Sequence, residues 1–271
     1  MWYNKNMRLK VYFGDESGKV RIGMDYRRAF LSFIKKAFSQ TPYMEDIFQE
    51  KKAREFVFSA FLGKGMKADG EKLEVSPPFE LYFSSGAPFI VSAFYNGVME
   101  LKKKGEGIEL EGKKFGISRV EVLRPKKFTS SFVIFKTLGI CVLTDPDASR
   151  DDFEKFYVIP EREDFKEILR KRIIEKYEFI MGSKIPDERI NFLPVSRDLL
   201  EPLIRSGAVA PSFWKKSLVP VRVRHYGGYV RGWRGVFGLE AHPVVLQFVY
   251  DYGLGVKTGQ GFGMLECVME A

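Results

Sequence analysis

Positive charge is concentrated in one long window that contains no acidic residue. Residues 202–239 contain seven Arg and Lys side chains and no Asp or Glu, in a chain of 271 residues with a net charge of +9. Six aromatic residues are interleaved with them: Phe213, Trp214, Tyr226, Tyr229, Trp233 and Phe237. Cations neutralise phosphates and aromatic rings stack on unpaired bases. The window therefore favours binding to RNA or single-stranded nucleic acid over a merely solvated basic face.

Part of this window has the pattern of a β-hairpin. Two alternating runs, residues 219–225 and 229–238, flank the pair Gly227-Gly228, and such a pair between alternating runs predicts a hairpin. Side chains two positions apart on a strand share one face, so Arg222 and Arg224 are expected on the same side. The candidate nucleic-acid contacts of the hairpin are Arg222, Arg224, Arg231 and Arg234.

A glycine-rich stretch near the C-terminus is the second candidate site. Residues 253–263 contain five of the 25 glycines, and they lie between an apolar segment (residues 244–252, a helix or a buried strand) and a predicted strand. A nucleotide-binding P-loop runs in the opposite order, from strand to helix, and Val256 occupies the position of a required glycine. The stretch is either a loop whose N–H groups bind an anion or a connection that needs glycine only to turn.

Metal and membrane sites have little support in the sequence. Cys141 and Cys267 are 126 positions apart and the chain has two histidines, so no zinc-binding spacing is present and we expect no metal or other cofactor. Isolated cysteines suit a reducing compartment, and a single disulfide between them is the alternative. Because no apolar signal segment and no run near 18 apolar residues occurs, we expect a soluble cytoplasmic protein without a membrane partner.

The first half of the chain predicts a ferredoxin-like domain over residues 1–125. Apolar periodicity predicts strands over 7–14, 55–62, 79–83 and 115–123, and helices over 25–38, with Asp25 as N-cap, and from Ser85 or Ala87 to about 104. The order strand, helix, strand, strand, helix, strand is the split βαβ unit. Residues 63–70 are predicted to be a loop and residues 125–130 a linker.

The second half predicts a similar but less regular domain over residues 131–271. It begins with a long strand or hairpin strand over 131–144 and continues with a helix over 162–181, the basic hairpin, a short helix over 244–252 and a strand over 261–269. Residues 183–218 fit no element, and no internal sequence repeat supports a duplication. The fold class predicted is α+β, with tandem ferredoxin-like (RRM-like) domains.

These features together resemble the CRISPR-associated RAMP superfamily, and within it the endoribonucleases that cut CRISPR precursor RNA in each repeat. The resemblance spans nearly the whole chain. Its main motif is the set Gly253, Gly255, Gly261, Phe262 and Gly263. Supporting segments are residues 124–128, Arg-Pro-Lys-Lys-Phe, and residues 56–59, Phe-Val-Phe-Ser. The motif marks the superfamily and does not separate enzymes from non-cleaving subunits.

The resemblance implies metal-independent cleavage, in which a ribose 2′-OH attacks the adjacent phosphate and leaves a 2′,3′-cyclic phosphate. Many members use a histidine after the first helix, a tyrosine on that helix and a nearby lysine. Aligned on residues 56–59, these positions are Phe48, approximately Phe33, and Arg54, none of which transfers protons at ordinary pH.

The resemblance also implies that some members without the histidine use a basic cluster, which makes Lys51, Lys52 and Arg54 candidate catalytic residues. A lysine with a near-neutral pKa could move a proton and an arginine could stabilise the phosphorane. The same cluster could also contact phosphate without catalysis. His225, inside the basic window, is a candidate RNA contact or alternative base, whereas His242 is interpreted as a residue at the start of a helix.

Three hypotheses follow for function. The first is a repeat-specific endoribonuclease that binds RNA through the hairpin and the glycine-rich stretch, the latter through Lys257, Gly259, Gln260 and Gly261. The second is a non-catalytic subunit that binds CRISPR repeat RNA. The third is an unrelated ferredoxin-like enzyme for a small molecule, which no paired carboxylates or metal ligands support. Other CRISPR-associated effector subunits and a second copy in a homodimer are further partners compatible with the resemblance.

Overall fold

The chain forms two compact units. The computed structural model describes residues 7–14, 18–48, 54–63, 67–214 and 217–270. Unit 1 consists of the residues up to Lys126 together with two short segments, residues 223–229 and 259–261. Unit 2 consists of residues 127–222, 230–258 and 262 onwards. Each unit has its own hydrophobic core.

Unit 1 is built on an antiparallel sheet with two helices on one face. Its elements are β1 (Met7–Phe13), β2 (Val20–Gly23), α1 (Arg27–Phe38), α2 (Met44–Phe48), β3 (Val57–Phe61), β4 (Lys67–Asp69), β5 (Lys72–Val75), β6 (Phe79–Ser85), α3 (Pro88–Lys103), β7 (Gly107–Leu110) and β8 (Lys113–Leu123). The main sheet has the order β3-β6-β1-β8-β7. Residues Leu9, Val11 and Phe13 alternate inward from β1. The buried side chains of α1 recur every three to four residues, which is why this segment is helical and faces the core.

The six predicted elements of unit 1 are confirmed, and the short strands were missed. β2, β5 and β4 form a separate three-stranded sheet, and β7 extends the main sheet. The prediction of a loop over 63–70 was wrong for β4, whose three residues are too few to show an alternation. Asp25 is also not the N-cap of α1. Tyr26 occupies the cap position and makes no side-chain hydrogen bond there, and the Asp25 carboxylate accepts the backbone N–H of Tyr226.

Unit 2 repeats the strand order of unit 1. Its elements are β9 (Phe132–Thr137), β10 (Leu143–Thr144), α4 (Phe153–Phe156), β11 (Tyr157–Val158), α5 (Phe165–Met181), β12 (Asn191–Pro194), α6 (Arg197–Arg205), β13 (Leu218–His225, whose last three residues belong to unit 1), β14 (Gly228–Glu240), α7 (Pro243–Tyr252) and β15 (Leu265–Glu270). The sheet order is β12-β14-β9-β15. Counted along the chain, these are the second, third, first and fourth strands of the ferredoxin-like unit. The order β3-β6-β1-β8 in unit 1 is the same, so both units are ferredoxin-like.

Two predictions for the second half were wrong in detail. The second strand of the ferredoxin-like order is β12, from the segment that fitted no element, whereas β13 is an additional strand paired with β14. Only Phe192 is buried in β12, so its four residues show no readable period. The run over 131–144 is not one strand, because the chain turns at Gly139, where φ is +116°, before β10 begins.

The two cysteines of unit 2 are both free and buried, so the alternative of a disulfide does not apply. Burial raises the pKa of the Cys141 thiol well above its ordinary value, because a thiolate is poorly solvated in the core. Both residues therefore act as small apolar side chains.

Gly97 allows α1 and α3 to approach closely in unit 1. A Cβ atom on Gly97 would lie 1.9 Å from the carbonyl oxygen of Ala37. We predict that Gly97→Ala lowers the free energy of unfolding by about 3 kcal/mol, because the backbone of α1 must move. In an exposed helix, Gly→Ala would raise the free energy of unfolding by about 1 kcal/mol. The sign of the change therefore shows whether the two helices are in close contact at Gly97.

Denaturant unfolding of Gly97→Ala and Gly116→Ala provides the measurement. A Cβ on Gly116, in β8, would meet nothing within 4 Å, which makes this variant the matched control. Equal unfolding midpoints for the two variants would contradict the close approach of the helices.

Candidate nucleic-acid interface

The glycine-rich stretch is a loop between α7 and β15, as predicted. Its turning points have left-handed backbone conformations, with φ of +81° at Gly253, +80° at Gly255, +90° at Gly261 and +77° at Gly263. The loop closes on itself through a 2.8 Å hydrogen bond from the N–H of Leu254 to the carbonyl oxygen of Gly263. The N–H groups of Val256 and Gly263 donate to the carbonyls of Val142 and Ile140, each at 2.8 Å. These three donors therefore bind protein, not an anion.

Lys176 holds the first part of this loop in unit 2. Its Nζ, on α5, donates to the carbonyl oxygens of Tyr252 and Gly253 at 2.7 and 2.8 Å, and to Oγ1 of Thr258 at 3.3 Å. The three bonds use all three N–H donors of an ammonium group. Burial lowers the pKa of Lys176 to about 7, whereas the three acceptors favour the charged form. Lys176 lies among the apolar positions of α5, so no pattern in the sequence indicated its role.

Two arginines of unit 1 lie against residues 259–261. A Cβ on Gly259 would be 2.4 Å from Cγ of Arg54, and a Cβ on Gly261 would be 3.2 Å from Cδ of Arg27. The guanidinium of Arg54 donates to the carbonyl oxygen of Ile47 at 2.9 Å and lies 5.1 Å from the centre of the Phe48 ring. Burial lowers the pKa of Arg54, which nevertheless keeps its charge. Two glycines thus admit two cationic side chains to the loop.

The positions that the resemblance aligns with the family's histidine and tyrosine are apolar here. Phe48 packs against Phe38 and Phe56, with ring centres 5.8 and 5.9 Å away, and Phe33 is buried against Phe13. These rings belong to the core of unit 1 and transfer no proton. The two lysines that were predicted to supply proton transfer, Lys51 and Lys52, lie outside the described residues.

His225 is buried in unit 1, where it contacts the loop. Only 4% of its side chain is exposed. Its Nε2 lies 2.8 Å from Oε1 of Gln260, and its Nδ1 lies 3.7 Å from Oδ1 of Asp25. The structure thus brings His225, Gln260, Gly259, Gly261 and Arg54 together, as parts of one candidate site.

The turn after β13 presents aromatic rings to solvent. Tyr226 and Gly227 both have positive φ, +50° and +78°, which is the conformation of a type I′ hairpin turn. The side chains of Tyr226 and Tyr229 are 52% and 50% exposed. The Arg28 guanidinium lies 5.0 Å from the centre of the Tyr226 ring. An exposed ring beside a cation is a suitable surface for an unpaired base and its phosphate.

The acid-free window of the sequence is not free of acids in space. Arg224 pairs with Glu71 in unit 1 at 2.8 Å, and Arg231 pairs with Glu154 in unit 2. Also in unit 2, Arg222 lies 4.8 Å from the centre of the Phe153 ring, and Arg234 is exposed. Lys257 has a left-handed backbone conformation, with a φ of +60°. Its pKa is lowered mainly by burial and to a smaller extent by the nearby charge of Arg150.

Sequence reasoning missed three residues of the site: Asp25, Arg27 and Arg28. A signal for the arginines existed. Two adjacent cations in the first turn of a helix interact unfavourably with its dipole, so their presence there indicates a role other than helix stability. Asp25 could not have been found, because its partners, Tyr226 and His225, are 200 or more positions away in the sequence. In the part of the chain that the structure describes, no three His, Cys, Asp or Glu side chains group as metal ligands.

No helix in the described ranges is both long and apolar enough to cross a membrane.

Comparison with known proteins places the chain in a family. Two ferredoxin-like units with a glycine-rich loop before the last strand are the architecture of the CRISPR-associated RAMP class. The family described as CRISPR associated protein Cas6, C-terminal, matches residues 123–267, more than half of the chain. The chain therefore belongs to the Cas6 family.

Two relatives come from Pyrococcus furiosus. An endoribonuclease-like protein Cas6 is 25% identical over 196 residues, 72% of this chain and 70% of that protein. A CRISPR-associated endoribonuclease Cas6 is 27% identical over 188 residues, 68% of this chain and 59% of that protein. A solved structure, described as a RAMP protein binding different RNA substrates, superposes with a TM-score of 0.76 at 21% identity over 97% of this chain and 100% of that one. It shares the fold.

Lys176 provides a test of how the loop is held. Lys176→Met keeps the length of the side chain but leaves two carbonyl oxygens and the Thr258 hydroxyl without their donor. We expect the free energy of unfolding to fall by about 3 kcal/mol, in the range for buried acceptors that lose a partner. Denaturant unfolding measures the change.

The control is Lys184→Met, because the Lys184 side chain is 90% exposed and pairs with Glu178 at the surface. It should change stability by less than about 0.5 kcal/mol. A loss in Lys176→Met no larger than in this control would show that the three hydrogen bonds do not hold the loop.

Proposed function

We propose that the chain binds CRISPR repeat RNA and cleaves the precursor transcript within the repeat, without a metal ion, to leave a 2′,3′-cyclic phosphate. One observation carries the proposal in a member of the Cas6 family. Arg54, at the position of the lysine of related enzymes, lies against Gly259 of the glycine-rich loop. The aliphatic stem of Arg54 lies against this loop, while its guanidinium is held by the carbonyl oxygen of Ile47 and the ring of Phe48. A guanidinium fixed near a loop that is proposed to bind RNA suits the stabilisation of a five-coordinate phosphorane.

The roles follow from the chemistry of the cleavage. A base removes the proton of the 2′-OH, the oxygen attacks phosphorus, and an acid protonates the 5′-oxygen that leaves. Arg54 stabilises the added negative charge, while Lys51 and Lys52 supply the proton transfers. His225 is too buried to reach a substrate proton, so it is not assigned the role of base.

RNA binding is assigned to exposed cations and rings. Arg222 and Arg234 are exposed, as are Tyr226 and Tyr229 of the hairpin. Lys257 and Gln260 are partly exposed at the glycine-rich loop. Cations hold the phosphates and the tyrosines stack on unpaired bases. Assembly with other CRISPR-associated subunits, or with a second copy of the chain, stays a prediction.

A second candidate function is non-catalytic binding of repeat RNA. The observation that favours it is the apolar character of Phe33 and Phe48, which lie in the core and leave no acid or base at those positions. Under this function Arg54 contacts a phosphate that is not cleaved. One experiment separates the two functions.

Repeat RNA labelled at its 5′ end is incubated with the protein in EDTA. The first function gives one cut per repeat with a cyclic phosphate at the new 3′ end. The second gives a retarded complex with intact RNA, and loss of both binding and cleavage rejects both proposals.

If cleavage occurs, we predict that Arg54→Ala lowers the rate by about 100-fold or more, because charge stabilisation in the transition state is lost. Lys52→Ala should lower it by a similar factor if that lysine moves a proton. Single-turnover rates at saturating protein are the measurement. Lys184→Ala is the control for a charge removed elsewhere, and unchanged rates in both site variants would remove the residues from the mechanism.

Gly259 tests whether the loop contributes to binding. Gly259→Ala places a Cβ 2.4 Å from Cγ of Arg54, so the arginine stem must move away from the loop. We predict an affinity for repeat RNA that is about tenfold lower, equivalent to one charged hydrogen bond. Filter binding at fixed salt measures it.

Gly116→Ala is the control, since a Cβ on Gly116 would meet nothing within 4 Å and Gly116 is not among the proposed RNA contacts. Equal affinities in Gly259→Ala and Gly116→Ala would mean that the position of Arg54 does not matter for RNA.

A further inference from the structure

Two cations of unit 2 lie near each other without an acidic partner. Arg150 is exposed and Lys257 is half-buried. Burial, and then the charge of Arg150, lower the pKa of Lys257, so the two charged groups are close enough to interact. Among the described residues, neither side chain forms an ion pair or a hydrogen bond. A half-buried ammonium beside a second cation costs free energy unless an anion compensates the two charges.

Backbone hydrogen bonds bring the two segments that carry these cations together. The N–H of Val256 donates to the carbonyl oxygen of Val142 at 2.8 Å, which attaches the glycine-rich loop to the residue before β10. From β10 the chain enters the loop that carries Arg150, and it returns in β11, where Tyr157 pairs with Thr144. Both loops are therefore attached to the same short pair of strands.

The hydroxyl of Tyr157 is a third donor at this position. The residue is only 9% exposed, and its ring packs against Phe153 and Phe156, with ring centres 4.9 and 5.1 Å away. Burial raises the pKa of Tyr157 and the charge of Arg150 opposes this, so the hydroxyl lies near that guanidinium. In the described part of the chain the hydroxyl has no hydrogen-bond partner. Because buried hydroxyl groups normally have one, this donor is available to an acceptor from outside the chain.

The other charged side chains around this position are mostly engaged. Four acidic residues of the loop that carries Arg150 and of α4 form ion pairs: Asp145 with Arg162, Asp147 with Lys171, Asp152 with Lys155, and Glu154 with Arg231. Asp151 is exposed and forms no ion pair with a described residue. On α5, Arg172 and Lys176 donate to backbone carbonyl oxygens. An anion at Arg150 and Lys257 therefore replaces no existing ion pair.

We propose that Arg150, Lys257 and the hydroxyl of Tyr157 together bind one phosphate group of the RNA backbone. The proposal rests on the proposed function, and it adds the loop between β10 and β11 to the segments that contact RNA. A phosphate accepts several hydrogen bonds and carries negative charge, which matches two cations and a neutral hydroxyl donor. Such a contact positions the RNA and does not read its bases.

The first test uses NMR of lysine side chains and needs no RNA. Arg150→Gln removes the like charge that lowers the pKa of Lys257, so the Lys257 midpoint should move to higher pH. In the wild-type protein, inorganic phosphate should also raise this midpoint, in a saturable manner, relative to chloride at the same ionic strength. Lys155→Gln is the control, because Lys155 pairs with Asp152 in the same segment and should leave the midpoint unchanged.

Two outcomes of this titration overturn the proposal. If the Lys257 midpoint is the same in Arg150→Gln as in the wild-type protein, the two cations are not close. If phosphate has no saturable effect on the midpoint, the cations do not form an anion site.

The second test identifies the phosphate on the RNA. Single methylphosphonate linkages, each of which removes one negative charge, are placed in turn along the repeat RNA. A 2′-O-methyl group on the neighbouring ribose prevents cleavage there, and the same RNA with an ordinary phosphate is the reference. One linkage should lower the affinity of the wild-type protein by about tenfold, the value of a hydrogen bond to a charged group. In the double variant Arg150→Gln/Lys257→Gln, that linkage should have no effect, while other sensitive linkages keep theirs.

Single variants measure the share of each group. Arg150→Gln should lower the affinity for repeat RNA by about tenfold, and Tyr157→Phe, which keeps the ring, by about fivefold. Lys155→Gln should bind within about twofold of the wild-type protein, since an exposed charge with a partner contributes little.

The outcomes separate this proposal from the proposed function. If no linkage loses its effect in the double variant, the proposal is overturned, and a saturable response to inorganic phosphate then assigns the site to free phosphate instead. If the wild-type protein binds no repeat RNA, the proposed function fails, while the lysine titration still decides whether the three groups form a phosphate site.

Discussion

The close backbone approach of residues 253–263 is the constraint on which the candidate site depends. A Cβ on Gly255 or on Gly263 would lie 2.2 Å from a carbonyl oxygen, that of Val142 or of Leu254. No L-residue with a side chain fits there, and the left-handed conformations exclude most residues for a second reason. The glycines therefore determine where Lys257 and Gln260 emerge from the loop.

Side chains from distant parts of the sequence then fix the loop. Lys176 gives its three N–H donors to the beginning of the loop in unit 2, and His225 contacts Gln260 in unit 1. Both side chains therefore contribute to the position of the loop. A partly buried lysine and a buried imidazole here fix the loop, which gives a structural reason for polar side chains at these positions.

The chemistry of the site is dominated by fixed cations. Arg54 is held by the carbonyl oxygen of Ile47 and by the ring of Phe48, and Arg224 and Arg231 have acidic partners. Fixed cations have few conformations left to lose, so under the proposed function Arg54 would position a phosphate at a low entropic cost. The same feature serves a nuclease and a carrier equally well, and proton transfer is what separates the two functions.

The sequence by itself determined the fold class, the glycine-rich loop and the hairpin, because each has a local signature: apolar periodicity in α1 and β1, and glycines at defined turns. It also indicated membership of the CRISPR-associated RAMP class. It did not determine β12, with one buried residue, or the roles of Asp25, Arg27 and Lys176. The basic window likewise looked free of acids until Glu71 and Glu154 were seen beside its arginines. Only the tertiary structure decides such pairs, because hydrogen bonds and ion pairs act over a few ångströms in space and leave no periodic trace along the chain.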